Sequence, residues 1–266
     1  MFRRTLDRVN TLIPSNKRLV VTSRDHLEKD LEQVQEPELL VVQPRNRDTA
    51  PGVLLTLLRI QDQDREATVG IFPSEHCALI PNEEVFIPHV LQGIKFLTAY
   101  PDLLILLGIV PDRPEILHSW IEPGRAIARQ SGYQLLQVRG IRESRDRPMA
   151  TRLSLVGGLW NSRIVLGRLS TFLQSFQKTL PELWERFQRI EAALKNAAML
   201  EDVYRGMALA NFTRHLLQRV PQGLGVIPVK EEQERMFEVL SQPKAGRAKE
   251  LAARLQRRYR RWEGIA

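Results

Sequence analysis

The sequence predicts an α/β fold: a mostly parallel sheet with helices on both faces. Three observations lead there. Short runs of branched apolar residues recur along the first part of the chain. Helix-length stretches separate them, and the connections have the length that crossover helices need. Residues 18–22 (RLVVT), 39–42 (LLVV), 67–72 (ATVGIF) and 103–109 (LLILLGI) read as buried strands. Residues 25–33, 52–61 and 83–100 read as the intervening helices. Further on, 134–139 and 161–166 look like strands around a polar loop at 143–149. Helical stretches follow at 169–176, 181–196 and 211–219, then a short strand at 225–229 and a basic helix to the end. Sheets of this kind bind ligands beyond the carboxyl ends of their strands. Chemistry is therefore sought in Ser23-Arg24-Asp25-His26, in 43–51, and in Pro73-Ser74-Glu75-His76.

Composition narrows the class. The chain has 266 residues, 43% hydrophobic and 26% charged, which excludes a disordered or fibrous protein. A single cysteine, Cys77, allows no internal disulfide and suits a reducing compartment. The longest purely apolar run, 103–110, is far short of a membrane span. No apolar stretch follows Met1-Phe2-Arg3-Arg4, so no secretory signal is read. The expectation is a cytoplasmic protein without a membrane partner. Net charge is +8, of which residues 244–266 carry +6. A solvated C-terminal helix accounts for that charge. No aromatic platform is interleaved with it, so nucleic acid is not an expected partner. No repeat or Pro/Gly/Ser-rich linker divides the chain. One domain is expected over 1–240, with a basic helical tail over 241–266.

Six segments carry a further signal. They are RLVVTSRDH (18–26), QPRNRDTAPG (43–52), FPSEHCALIPNEEVF (72–86), LLGIVPDRPEILHSWIEPG (106–124), LWNSRIVLGR (159–168) and VYRGMALANFTRHLL (203–217). In order and spacing they resemble the sugar-1-phosphate nucleotidyltransferases, specifically the mannose-1-phosphate guanylyltransferase type. The resemblance implies a Rossmann-like sheet of the nucleotide-diphospho-sugar transferase type with a helical C-terminal part. It implies transfer of a nucleotidyl group from GTP to mannose 1-phosphate, giving GDP-mannose and pyrophosphate. That reaction needs two anions held in line and the developing charge neutralised, by Mg²⁺ and by cationic side chains. GTP or a GDP-sugar, a sugar 1-phosphate, Mg²⁺ and a homo- or hetero-oligomer are the implied cofactor and partners.

Residue by residue, the resemblance puts Arg47 and Thr49 against the nucleotide and Glu122 and Asn161 against sugar hydroxyls. Glu75 stands where the family has a metal-binding aspartate. Arg145 or Arg147 would supply charge to the sugar phosphate. No catalytic residue is assigned. Each has a plainer alternative: Thr49 a helix N-cap, Glu75 a surface carboxylate, His26 and His76 structural histidines.

Four departures accompany the matches. The family opens with a strand and G-x-G-T-R-x-x-P, whereas this chain begins at FRRTLDRV, so its sheet is expected to lack that first, central strand. The family's Y-G-[YW] reads His118-Ser119-Trp120. Its E-K-P is replaced by Arg142-Glu143-Ser144-Arg145-Asp146-Arg147-Pro148. Its W-S-D-W-G is replaced by Lys230-Glu231-Glu232-Gln233. The departures fall on catalytic parts, so a non-catalytic nucleotide-sugar-binding or regulatory homologue is the alternative expectation.

Overall fold

A computed structural model describes residues 2–31, 40–73, 83–188 and 197–230. In chain order the elements are α1 (Phe2–Asn10), β1 (Val20–Ser23), α2 (Leu27–Leu31), β2 (Leu40–Gln43), α3 (Thr49–Gln63) and β3 (Thr68–Ile71). Next come α4 (Glu83–Ala99), β4 (Leu104–Ile109), β5 (Ser119–Gln130), β6 (Tyr133–Glu143), α5 (Arg147–Leu155) and β7 (Leu159–Arg168). The remainder is α6 (Leu169–Thr179), α7 (Pro181–Gln188), α8 (Ala197–Tyr204), α9 (Phe212–His215) and β8 (Leu224–Val229).

Six strands form one sheet in the order β3-β7-β4-β8-β6-β5. Parallel pairing joins β4 to β8, and in a separate two-stranded ladder β1 to β2. The other pairings are antiparallel, so the sheet is mixed. β7 also meets β5 through Trp120 opposite Trp160 and Ile121 opposite Leu159, which curls one end of the sheet onto itself. Among the described residues β1–β2 is not hydrogen-bonded to the larger sheet.

Both faces are covered, and β4 shows why. Its residues alternate between two apolar clusters, as the two-residue strand period requires. Leu104 and Leu106 pack with Leu54, Leu55 and Phe172 from α3 and α6. Ile105, Leu107 and Ile109 pack with Phe86, Val90 and Phe96 from α4 and with Leu153 from α5. A helix that sits this close needs a small residue at the contact. A Cβ on Gly93 of α4 would lie 2.4 Å from Leu166 Cδ1 of β7.

Three expectations change. β5 was not anticipated, because Pro123 and Gly124 interrupt its alternation. The register shifts at Glu122/Pro123 and again before Ala126, so bulges absorb both residues and pairing resumes. The loop expected over 143–149 instead ends in α5, which Asp146 caps by accepting from the Met149 N–H at 2.8 Å, with Pro148 in its first turn. The stretch 211–219 divides into α9 and a 3₁₀ turn at Leu217–Arg219 rather than one helix. Among the described residues no helix is long and apolar enough to cross a membrane. The tail at 241–266, and Glu231 and Glu232, lie outside the described residues.

Candidate functional site

Three groups of side chains gather beyond the carboxyl ends of the strands. The first is the turn between β2 and α3. Asp48, with φ at 67°, reverses the chain there, and its carboxylate accepts from the Thr49 N–H at 2.6 Å. The Ala50 N–H donates to the Ala210 carbonyl at 2.9 Å, and Pro51 has no N–H. The Thr49 and Ala50 donors that open α3 are therefore used within the protein, and neither is left for a phosphate. The helix starts at Thr49 with Asp48 as N-cap, one residue earlier than the plainer reading of Thr49. The Thr49 hydroxyl oxygen accepts from the Phe212 N–H at 2.9 Å, leaving its own proton to donate. The Arg47 carbonyl accepts from the Ala210 N–H, while the buried Arg47 Nε has no hydrogen-bond partner among the described residues.

This turn is sewn to α9. Asn211 Nδ2 donates to Asp48 Oδ1 at 3.1 Å, and Asn211 Oδ1 caps α9 by accepting from the Arg214 N–H at 2.9 Å. Farther out, Glu201 of α8 joins Arg24 after β1 (3.4 Å) and Arg45 after β2 (2.8 Å). The Arg45 hydrogen bond chiefly holds the Glu201 carboxyl below its ordinary pKa. Behind them Gln43 accepts from the buried Tyr204 hydroxyl at 3.3 Å, and burial raises the pKa of that phenol.

The second group is a polar row crossing the curled end of the sheet. Asn161 of β7 lies opposite Gly108 of β4, and Ser119 of β5 lies opposite Glu143 of β6. The β5–β7 ladder ends at Trp120 opposite Trp160, and Ser119 and Asn161 each flank that last pair. Both are buried, yet among the described residues Asn161 Nδ2 and Ser119 Oγ have no hydrogen-bond partner. Unpaired buried polar atoms cost stability and ask for a reason. A bulge sets Asn161 in place. Arg163 adopts φ 61°, the Asn161 side-chain oxygen accepts from the Arg163 N–H at 2.9 Å, and Ser162 Oγ donates to the Leu107 carbonyl at 2.6 Å. The other face of the same corner is aromatic: Trp160 packs against Trp120 and His118, at 6.3 and 5.2 Å between centroids. Burial lowers the His118 pKa.

The third group is a basic cleft of about 770 Å³ lined by Arg142, Glu143, Arg145, Met149, Arg214 and Gln218, among others. Arg142 Nε donates to Glu122 Oε1, and Arg214 Nη2 donates to both carboxylate oxygens of Glu143 at 3.0 and 3.1 Å. Another cavity, of about 630 Å³, sits at the amino ends of β4 and β8 beside Tyr100, Asp102 and Arg139, away from these groups.

The expected residues therefore distribute as follows. Arg47 and Thr49 share the first group, and Asn161 anchors the second. Arg145 lines the cleft; Arg147 is the exposed first residue of α5 and is not part of the lining. By strand alternation Glu122 falls on the Trp120 face and Asn161 on the Leu159 face, so the two do not share a row. Glu122 instead meets the cleft through Arg142. His26 stays local, with Nδ1 3.3 Å from Ser23 Oγ. Glu75 and His76 lie outside the described residues. Among the described residues no three His, Cys, Asp or Glu side chains are grouped to hold a metal. Sequence reasoning missed Arg214 and Ser119. The available signal for Ser119 was a hydroxyl where the family has glycine; for Arg214 there was none, since only folding brings α9 to β6.

No protein-family model matches the chain. It is 26% identical over 205 residues to the Escherichia coli protein named mannose-1-phosphate guanylyltransferase, covering 74% of this chain and 42% of that protein. It is 25% identical over 190 residues to the Pseudomonas fluorescens alginate biosynthesis protein AlgA, covering 70% and 38%. The chain is a sugar-1-phosphate nucleotidyltransferase-like protein. This nucleotidyltransferase-like chain spans about two-fifths of the length of those relatives. Two solved structures share its fold. One, titled mannose-1-phosphate geranyltransferase and coming from Thermus thermophilus, superposes with TM-score 0.69 at 22% identity over 85% of this chain and 63% of that one. The other, titled mannose-6-phosphate isomerase from Helicobacter pylori, gives 0.68 at 18% identity over 86% and 87%.

Proposed function

We propose that the chain performs nucleotidyl transfer of the mannose-1-phosphate guanylyltransferase type, GTP and mannose 1-phosphate giving GDP-mannose and pyrophosphate, in the cytoplasm. The observation that carries this reading is the basic cleft whose Glu143 lies opposite Ser119, with the buried Ser119 hydroxyl and Asn161 amide unpartnered among the described residues. Arginines answer a phosphate and buried neutral donors answer hydroxyls, so the juxtaposition suits a phosphorylated polyol better than a bare anion.

The residues divide the work. Arg145 brings positive charge to the sugar phosphate, while Asn161 orients a sugar hydroxyl; Glu122, on the other face, acts only by holding Arg142. Arg47 and Thr49 face the nucleotide. The Thr49–Phe212 and Asp48–Asn211 bonds tie the nucleotide side to α9, which carries Arg214 into the cleft. Two anions are thereby held by one rigid joint, which is the positioning that in-line displacement needs. Mg²⁺ belongs to the reading as a cofactor that neutralises phosphate charge, with Glu75 its expected ligand.

A second reading is a nucleotide-sugar-binding or regulatory homologue, alone or in a homo- or hetero-oligomer. The replacement of E-K-P by Arg142-to-Pro148 and of W-S-D-W-G by Lys230-Glu231-Glu232 favours it. Pyrophosphate release from GTP, mannose 1-phosphate and Mg²⁺ separates the two. Release with GDP-mannose as product supports transfer. Calorimetric binding of GDP-mannose without release supports the second reading, and neither release nor binding refutes both.

A further inference from the structure

We infer that Arg214, with Arg145, is the phosphate-monoester clamp of this chain, and that Glu143 is a resident anion which the ligand displaces from it. The inference deepens the proposed function and rests on it for the identity of the ligand.

The argument is one of charge and pairing. Of the three cleft arginines, Arg142 is engaged by Glu122 and Arg214 by Glu143, whereas Arg145 has no ion pair among the described residues. Among the described residues the cleft at rest carries one uncompensated positive charge. Moving Glu143 aside frees a second, which matches a phosphate monoester dianion. The Glu143 carboxylate already shows how such an anion sits: one guanidinium nitrogen of Arg214 spans both oxygens, at 3.0 and 3.1 Å. Displacement is cheap, because the Arg214 and Glu143 side chains are 58% and 55% exposed. Exposed pairs of this kind shift an equilibrium by less than about fivefold. A phosphate on two arginines makes more and stronger charge-assisted bonds than that.

A second observation points the same way. Ser119 lies directly opposite Glu143, and its buried Oγ has no partner among the described residues. Glu143 swinging away opens the strand end at Ser119, where the body attached to the phosphate would meet that hydroxyl and then Asn161. Glu143 therefore closes the cleft's inner end as well as neutralising it. Arg214 is held in register by Asn211, whose side chain caps α9, so the clamp is anchored to the nucleotide-side turn.

The test is calorimetry on the full chain with mannose 1-phosphate, and separately with GTP. Glu143→Gln is expected to tighten mannose 1-phosphate by about two- to fivefold. Arg214→Gln and Arg145→Gln are expected to weaken it at least about tenfold. Arg145 has no ion pair to lose, so its variant keeps the test sound if the Arg214 variant folds poorly. Arg129→Gln removes the same charge far along β5 and is expected to leave affinity unchanged. Tightening by Glu143→Gln with loss in both arginine variants supports the clamp, even where pyrophosphate release is absent and the catalytic reading has failed. Glu143→Gln that weakens binding, arginine variants that match Arg129→Gln, effects seen with GTP alone, or no binding by the unaltered chain would overturn it.

Discussion

Asn211→Ala breaks the joint between the two halves of the site, and its cost follows from two bonds. The Asn211 side-chain oxygen caps α9 through the Arg214 N–H at 2.9 Å, and Nδ2 donates to Asp48 Oδ1 at 3.1 Å. An N-cap lost to alanine costs about 1 kcal/mol. The second bond, to a carboxylate in a half-buried setting, adds about 1 kcal/mol once solvent competition is counted. The total of about 2 kcal/mol corresponds to a fall in Tm of about 4–8 °C for a chain of this size. Differential scanning calorimetry reads it directly. A double-mutant cycle with Asp48→Ala isolates the second bond and should return a coupling of about 1 kcal/mol. Strict additivity, or a Tm within about 1 °C of the unaltered protein, would refute the joint.

Two further outcomes follow from strain and burial. Arg163 holds φ at 61° inside the β7 bulge, a region costly for any residue with a Cβ, so Arg163→Gly should stabilise by about 0.5–1 kcal/mol in urea melts. A loss of stability would show that the guanidinium makes a contact outweighing the strain. His89 is buried in α4, its Nδ1–H donating to the Val85 carbonyl at 2.6 Å, with Tyr133 edge-on at 5.0 Å. Burial pushes its pKa below the ordinary 6.5, the Val85 bond opposing only in part. The unfolded chain then binds the extra proton first. Stability is complete above about 6.5 and is lost as pH falls from there toward the folded-state value. His89→Phe should flatten that slope, and an unchanged slope between about pH 7 and 5.5 would assign it elsewhere.

How much of this was legible beforehand depends on the kind of interaction. β2, β4 and β8 were found within a residue of their bounds because buried strands are near-continuous apolar runs, a local property. β5 escaped because Pro123 and Gly124 spoil its alternation, and the bulges that absorb them exist only against β6. Asn161, Arg145, Arg47 and Thr49 were marked by segment order; the fold sets Arg47, Thr49 and Arg145 after the carboxyl ends of β2 and β6, and Asn161 near the amino end of β7 opposite Gly108 of β4. The split of Glu122 from Asn161 across two faces was invisible, since it depends on the register between β5 and β7.

By itself, then, the sequence determined the α/β class and most of the strand–helix order. Those follow from apolar periodicity and residue chemistry, which act over a few neighbouring positions. Tertiary structure alone decided that α9 seats Arg214 on Glu143, that Asn211 reaches Asp48 across 163 residues of chain, and that Ser119 ends opposite Glu143. Such pairings are set by how strands curl and helices pack, and no local pattern encodes the partner.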